Sequence, residues 1–450
     1  MIANRSSRNL ARMAAGILAA AAGLLASMQA LAAVDIQHWQ TSTGADVYFV
    51  ENHDLPIIDL SVNFAAGSAR DETTTSGLAS LTRYMMTLGA GGLSDAQISS
   101  RIADVGAVMS GEVDQDRAHF DLRTLSSKQE REQALDVYAK VLQKPDFPAE
   151  VLTREKARIV AGLNDAATQP ESIASKAFMA AVYGQHPYAL DSNGEPETVS
   201  ALKRDDLVQF YQRYYGAKGA VIAMIGDMQR DEAERIAERL AGGLPTAAKP
   251  APLPEVRYPQ SAKLEHIPHP ATQSHILLGY PGVKRGGQDY FALYVGNYIL
   301  GGGGFVSRLT EEVREKRGLV YSVYSYFMPL QELGPFQIGL QTKAEQAGEA
   351  LQVVRETLRK FLQQGPTEAE LKAAKQNIIG GFPLRLDSNS KILQYLAVIG
   401  FYHLPLTYLE DFNHEVDKVT TAQIKDAFQR RIDIDKLATV IVGGEAPTAQ

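Results

Sequence analysis

Arg314 and Tyr321 stand seven residues apart in Arg314-Glu315-Lys316-Arg317-Gly318-Leu319-Val320-Tyr321, and both can donate hydrogen bonds to a carbonyl oxygen. Donors of that kind would stabilise negative charge developing on a substrate oxygen. The spacing alone says little, and on general grounds the pair reads as a solvated charge at a helix end followed by a packed strand tyrosine. A second group lies earlier, in Gly77-Leu78-Ala79-Ser80-Leu81-Thr82-Arg83-Tyr84-Met85-Met86. Ser80, Arg83 and Tyr84 are related as i, i+3 and i+4 and so share one helix face. A His-x-x-Glu-His pattern would use that spacing for two zinc ligands and a base. Serine and arginine are not plausible ligands here and tyrosine is a poor one.

Hydrolytic zinc needs three protein ligands and an open water position. None of the nine histidines falls in His-Glu-x-x-His or its inverse. The close pair His266-Ile267-Pro268-His269 carries a proline that opposes a ring-aligning helix, and reads as two solvated loop histidines. Gly301-Gly302-Gly303-Gly304 is followed by Phe305-Val306-Ser307, without the lysine a phosphate loop requires. It reads as a flexible turn where the backbone must approach something closely. No Gly-x-Ser-x-Gly elbow is present, and the chain has no cysteine, so thiol catalysis and Cys-type zinc sites are excluded.

The elements that must position these groups fall into two halves of a 450-residue chain. Residues 33–244 form the first half and residues 263–446 the second. Between them, residues 245–262 open with four prolines in ten residues, an extended linker across which domain motion is expected. Leu88-Gly89-Ala90-Gly91-Gly92-Leu93 is echoed 212 residues later by Leu300-Gly301-Gly302-Gly303-Gly304-Phe305, and Gly106 by Gly318 at the same offset. Val221–Gly226 is echoed by Thr439–Gly443. Matches in one order indicate an internal duplication. Asp59–Phe64 and His119–Arg123 alternate like half-buried strands, and Glu130–Leu142 and Ala347–Leu362 read as amphipathic helices. The fold class is α+β, without a strict β-α-β rhythm.

Net charge is −7, which does not favour nucleic-acid binding. Residues 1–32 read as a signal peptide: Arg5, Arg8 and Arg12, a short apolar run from Ala14 to Leu25, then Ala30-Leu31-Ala32 before a mature start at Ala33. The run is too short for a membrane span, so a periplasmic protein with no stable membrane anchor is expected.

The chain resembles the pitrilysin, insulinase and mitochondrial-processing-peptidase family of inverzincin metallopeptidases. The resemblance covers nearly the whole mature chain. Its carriers are the helix frame Gly77-Leu78-Ala79 with Met85, the segment Gly184-Gln185-His186-Pro187-Tyr188, and above all Leu300 to Leu309 continuing through Arg314 to Tyr324. By that resemblance the two histidine ligands fall at Ser80 and Tyr84 and the general base at Arg83. The third ligand falls near Ala161 or Gly162, where no carboxylate stands. The resemblance also implies that Arg314 and Tyr321 hold substrate.

The implied fold is two homologous halves, each a mainly antiparallel sheet backed by helices, together forming half of a clamshell. The implied chain binds no metal and is inactive alone. It would be the non-catalytic, substrate-binding subunit of a periplasmic heterodimer whose zinc sits in a partner of similar size, and peptide would be the substrate. Part of the peptide's hold would come from strand addition to an exposed sheet edge. The alternatives are a catalytically inactive peptide-binding or scaffolding protein of the same fold, and a hydrolase with some other site.

Overall fold

A computed structural model describes residues 34–444; the signal-peptide segment and residues 445–446 lie outside the described residues. Two sheets organise the chain. The first contains β1 (Gln37–Gln40), β2 (Asp46–Glu51), β3 (Ile57–Phe64), β4 (Val108–Ser110), β5 (Ala118–Leu125) and β6 (Val221–Gly226), in the order β1-β2-β6-β3-β5-β4. The second contains β7 (Lys263–Pro268), β8 (Gln273–Val283), β9 (Val320–Phe327), β10 (Gly334–Lys343) and β11 (Ala438–Gly443), in the order β9-β10-β8-β11-β7.

Each sheet is antiparallel except for one pair, β2 with β6 and β11 with β7. Those parallel pairs occupy equivalent places: β7 answers β2, β11 answers β6, and the edge strand β9 answers β4. The topology therefore repeats, as the sequence echoes require of a duplication. Strand β5 alternates between buried and more exposed positions, as its sequence predicts, whereas β3 is buried from Ile58 through Phe64. The half-buried expectation for β3 fails because a helix over Asn389–Phe401 covers the face of β3 that alternation would have left open.

Four helices position the functional groups and join the halves: α1 (Leu78–Met86), α2 (Ala149–Ala166), α3 (Pro170–Tyr183) and α4 (Asn389–Phe401). The halves exchange two of them. Helix α3, from the first half, packs on β8 and β11 of the second sheet; α4, from the second half, packs on β2, β3 and β6 of the first. Each exchange is seated through a glycine. A Cβ at Gly279 of β8 would lie 2.3 Å from the Phe178 ring of α3, and one at Gly400 of α4 would lie 2.5 Å from Val221 of β6. Ala174, Phe178 and Val182 of α3 bury against Val440 and Val442. Burial of each large side chain contributes about 2 kcal/mol, so neither half keeps a complete core without the other's helix.

Polar contacts follow the same seam. The buried Asp116 carboxylate accepts from the Tyr188 hydroxyl, from the Tyr402 hydroxyl at 2.9 Å and from the Gln331 backbone N–H at 2.6 Å. The His186-Pro187-Tyr188 segment belongs to this seam, since His186 Nε2 meets the Pro254 carbonyl at 2.9 Å. Residues 245–259 form neither helix nor strand, but they are not a free tether. Leu253 and Val256 are buried with α3, and Arg70 donates to the Ala251 carbonyl at 2.7 Å. Burial of two apolar side chains outweighs the freedom that the prolines suggested. The histidine pair also differs from a solvated loop. His266 lies in β7 and bonds the Gly444 carbonyl at 2.7 Å, while His269 bonds the Thr168 carbonyl at 3.0 Å.

Candidate functional site

Helix α1 forms because Leu78, Ala79, Leu81, Thr82, Met85 and Met86 bury on one side, leaving Ser80, Arg83 and Tyr84 half-buried on the other. Its first turn is capped from a distance: Asp71 accepts from the Gly77 and Ala79 backbone N–H groups, both at 2.9 Å. Burial pushes the Asp71 carboxyl up to about 7 even so.

The three outward side chains share a face, as their spacing predicts, and each is engaged inside the protein. Ser80 Oγ donates to the Ser192 carbonyl at 2.6 Å. Tyr84 Oη donates to Glu155 Oε2 at 3.1 Å. Glu155, on α2 and 4% exposed, is also held by Arg154 and Arg158 at 2.7 Å each. The Arg83 guanidinium lies 5.0 Å above the Phe120 ring, and its buried Nε has no partner among the described residues. Glu155 was not singled out from sequence. The available signal was its position between two arginines at i−1 and i+3 on one helix.

These residues do not fit a zinc ion. Two side-chain oxygens that could approach a metal are spent on protein partners, and the half-buried guanidinium of Arg83 beside them would repel a cation. Ala161 and Gly162 are exposed on α2 and offer no donor. Among the described residues, no group of three His, Cys, Asp or Glu side chains could hold a metal.

The second group is built differently. The glycine run leads through a wide turn, Tyr298–Gly302, and a second wide turn spans Thr310–Glu315, each with i+5 spacing. The sequence predicts an ordinary helix end at Arg314; the structure gives a π-helical turn, closed by Lys316 N–H on the Glu311 carbonyl at 3.0 Å. Such turns are rare and concentrate at functional sites. Gly301 permits a close approach, because a Cβ there would lie 2.4 Å from Ser325 Oγ of β9. Asn297 and Ser325 bond reciprocally at 2.9 and 2.7 Å, holding the loop to that strand. The run is thus a close-packed turn, pinned at its start, with room for a side chain among the described residues only at Gly304, whose φ is +62°.

Tyr321 sits at a register shift in the β9–β10 pairing, between Val320 and Ser322. A bulge inserts an unpaired residue and re-aims its side chain. Tyr321 is accordingly 80% exposed on an edge strand. The Arg314 guanidinium lies 5.5 Å from the Tyr321 ring and 4.9 Å from the Phe305 ring. Its sole ion-pair contact among the described residues is Glu315 at 3.4 Å. Phe305 and Val306 are 72% and 75% exposed. Arg314 and Tyr321 are therefore brought together beside two exposed apolar side chains. Sequence reading did not identify Phe305 or Val306 as part of this surface. Arg308 anchors it from below, through a two-pronged ion pair with Glu370 at 2.6 and 2.7 Å.

The sequence and fold have known counterparts. Residues 47–193 match the family described as insulinase (peptidase family M16), and residues 201–378 match the peptidase M16 inactive domain. A protein of Helicobacter pylori named a non-peptidase homolog, YmxG, is 26% identical over 407 residues, covering 89% of this chain and 92% of its own. A Bacillus subtilis protein named an uncharacterized zinc protease, YmxG, is 26% identical over 79% of this chain and 86% of its own. The crystal structure of a peptidase M16 inactive domain from Pseudomonas fluorescens superposes with a TM-score of 0.89 at 39% identity, covering 92% of this chain and all of that one.

Proposed function

This chain belongs to the insulinase (M16) peptidase family, as a member without the zinc-ligand set, and we propose that it is the non-catalytic, substrate-binding subunit of a periplasmic heterodimeric zinc metallopeptidase. The partner would be a zinc-bearing family member of similar size, and the pair would close like a clamshell on peptides to degrade or process them. One observation carries the reading. Half-buried Arg314 and exposed Tyr321 stand together on the second half, while Ser80, Arg83 and Tyr84 on the first are turned to internal contacts.

In this role the Arg314 guanidinium and the Tyr321 hydroxyl donate to a peptide carbonyl, and Phe305 and Val306 contact the flanking side chains. The open edge of β9 offers backbone groups to an extended peptide. No helix among the described residues is long and apolar enough to cross a membrane. Export by the basic and apolar N-terminal segment would deliver the chain to the periplasm.

The test is affinity purification of the tagged chain from its native source, followed by reconstitution with what co-elutes. A stoichiometric partner carrying His-x-x-Glu-His, together with peptide hydrolysis that falls when Arg314→Ala is reconstituted, is the expected result. A chain that elutes alone or only with itself would replace this reading with a peptide-binding scaffold. Chelator-resistant turnover by the purified chain alone would point to an independent hydrolase.

A further inference from the structure

A cleft of about 310 Å³ opens where the first half, the proline-rich segment and the second half meet. Arg70 from the first half, Lys249 from the segment, and Arg285 and His403 from the second half all line it, and no aspartate or glutamate among the described residues does. In a chain of net charge −7 this is a local reversal. Like charges around a concave wall repel one another, and a low-dielectric surround strengthens that repulsion.

Among the described residues no carboxylate forms an ion pair with Arg70, Lys249 or Arg285, although Asp116 attracts Arg70 through space. Arg70 spends its Nε–H on the Ala65 carbonyl at 3.3 Å and a terminal N–H on the Ala251 carbonyl at 2.7 Å, both uncharged acceptors. Arg285 lies between the Tyr290 and Tyr402 rings, at 5.8 and 5.5 Å, and its buried Nε has no partner among the described residues. Lys249 is exposed, with its stem passing over Gly219. Two carboxylates stand behind the wall. Asp116 is occupied by Tyr188, Tyr402 and the Gln331 N–H, and Glu332 is paired with Lys284 at 2.7 Å. The remaining wall is largely apolar, with Val221, Phe401 and two prolines.

We infer that this cleft binds a small, multiply charged oxyanion, a phosphate ester or a polycarboxylate with a compact body, held by Arg70, Lys249 and Arg285. The volume is at the small end of ligand pockets, and two guanidinium groups suit bidentate recognition of such anions. Because the ligands come from both halves and the segment between them, a bound anion would tie the three together.

The experiment is calorimetric titration of the full mature chain with inorganic pyrophosphate and, separately, with citrate. The wild type is compared with Lys249→Gln, Arg285→Gln and a control remote from the cleft, Lys436→Gln. One saturable site per chain is expected for at least one anion, at least tenfold weaker in Lys249→Gln and Arg285→Gln and unchanged in the control. The bound anion should raise the melting temperature of the wild type. Preference for pyrophosphate would identify a phosphoryl ligand, and preference for citrate a carboxylate. If Arg285→Gln does not fold, the exposed Lys249→Gln decides the matter. Absence of saturable binding by both anions, or equal weakening by the control, would overturn the inference.

Discussion

The outward face of α1 and the surface around Arg314 differ in where their polar groups go. On α1, Ser80 and Tyr84 bond to protein partners, and Glu155 is buried beneath them. Around Arg314, the guanidinium is stacked between exposed rings and Tyr321 reaches into solvent from a bulge. A buried polar group without a partner costs about 1–3 kcal/mol, so a face with no external ligand is expected to satisfy most of its groups, as Ser80 and Tyr84 do, Arg83 Nε being the exception. A surface that leaves donors and apolar rings exposed forgoes that stabilisation, which is reasonable where a ligand completes the bonds. The comparison predicts that damage at α1 is read in stability and damage at Arg314 is read in binding.

The largest effect should come from Arg314→Ala in the reconstituted complex. Loss of a donor to developing oxyanion charge costs on the order of 10²-fold in peptide turnover. Its melting temperature should stay close to that of the wild type, because its partners among the described residues are two exposed rings and an exposed glutamate, Glu315. Ser80→Ala should do the reverse, leaving turnover unchanged and lowering stability by about 1 kcal/mol. Equal turnover losses from both substitutions would erase the distinction between the two faces.

Next is Glu155→Ala. It leaves Tyr84 without an acceptor and Arg154 and Arg158 without a counter-charge. Both arginines are more than half exposed, so solvent screens much of the loss, and about 2 kcal/mol is expected. Denaturant unfolding measures it. A negligible loss would mean that Tyr84 and the arginines are satisfied by water and that the α1 face is not closed by Glu155.

How much of this was legible in sequence depends on the interaction involved. The duplication was legible because glycines at a fixed offset mark turns that each half must make. The shared face of Ser80, Arg83 and Tyr84 was legible because helix period is local. The exchange of α3 and α4 was not, since an amphipathic helix says which side it buries and not which sheet receives it. Gly279 and Gly400 mark those seats, but a glycine in sequence does not name its neighbour. Glu155 beneath Tyr84 and Asp116 at the seam were missed for the same reason: their partners lie 71 and up to 286 residues away. Phe305 and Val306 were passed over because apolar residues are assumed to be buried unless structure shows otherwise.

Acid and base should act on the two regions with opposite sign. Burial raises the Asp71 carboxyl above its unfolded value, to about 7. Its contribution is therefore fully present below the unfolded pKa and is lost as pH rises through 7. Between about pH 5.5 and 8 the wild type should lose about 2 kcal/mol relative to Asp71→Asn. Glu370 is also partly desolvated, but bonds from Arg308 and Thr367 outweigh that and bring its carboxyl down to about 2. Its contribution is present above the unfolded value of 4.5 and is lost as pH falls towards 2. After discounting for its partial exposure, about 1 kcal/mol is expected relative to Glu370→Gln. Melting curves across pH for the three proteins test both signs, and parallel curves would contradict them.

The smallest effect compares equivalent positions in the two copies. Gly106 and Gly318 each follow a helical turn and precede an edge strand, with φ of +64° and +63°. A Cβ at either would meet nothing within 4 Å, so an alanine costs only backbone strain, about 1 kcal/mol in each case. Equal stability losses are expected for Gly106→Ala and Gly318→Ala. Their effects on peptide binding should differ, because Gly318 lies between Arg314 and Tyr321 and sets the path that stacks one on the other. Gly106 leads into β4, beside a face whose groups are turned inward. Weaker peptide binding by Gly318→Ala alone would locate recognition in the second copy. If Gly106→Ala weakened binding as much, the edge of β4 would share in it, and the first copy would have kept a peptide-holding role after losing its metal chemistry.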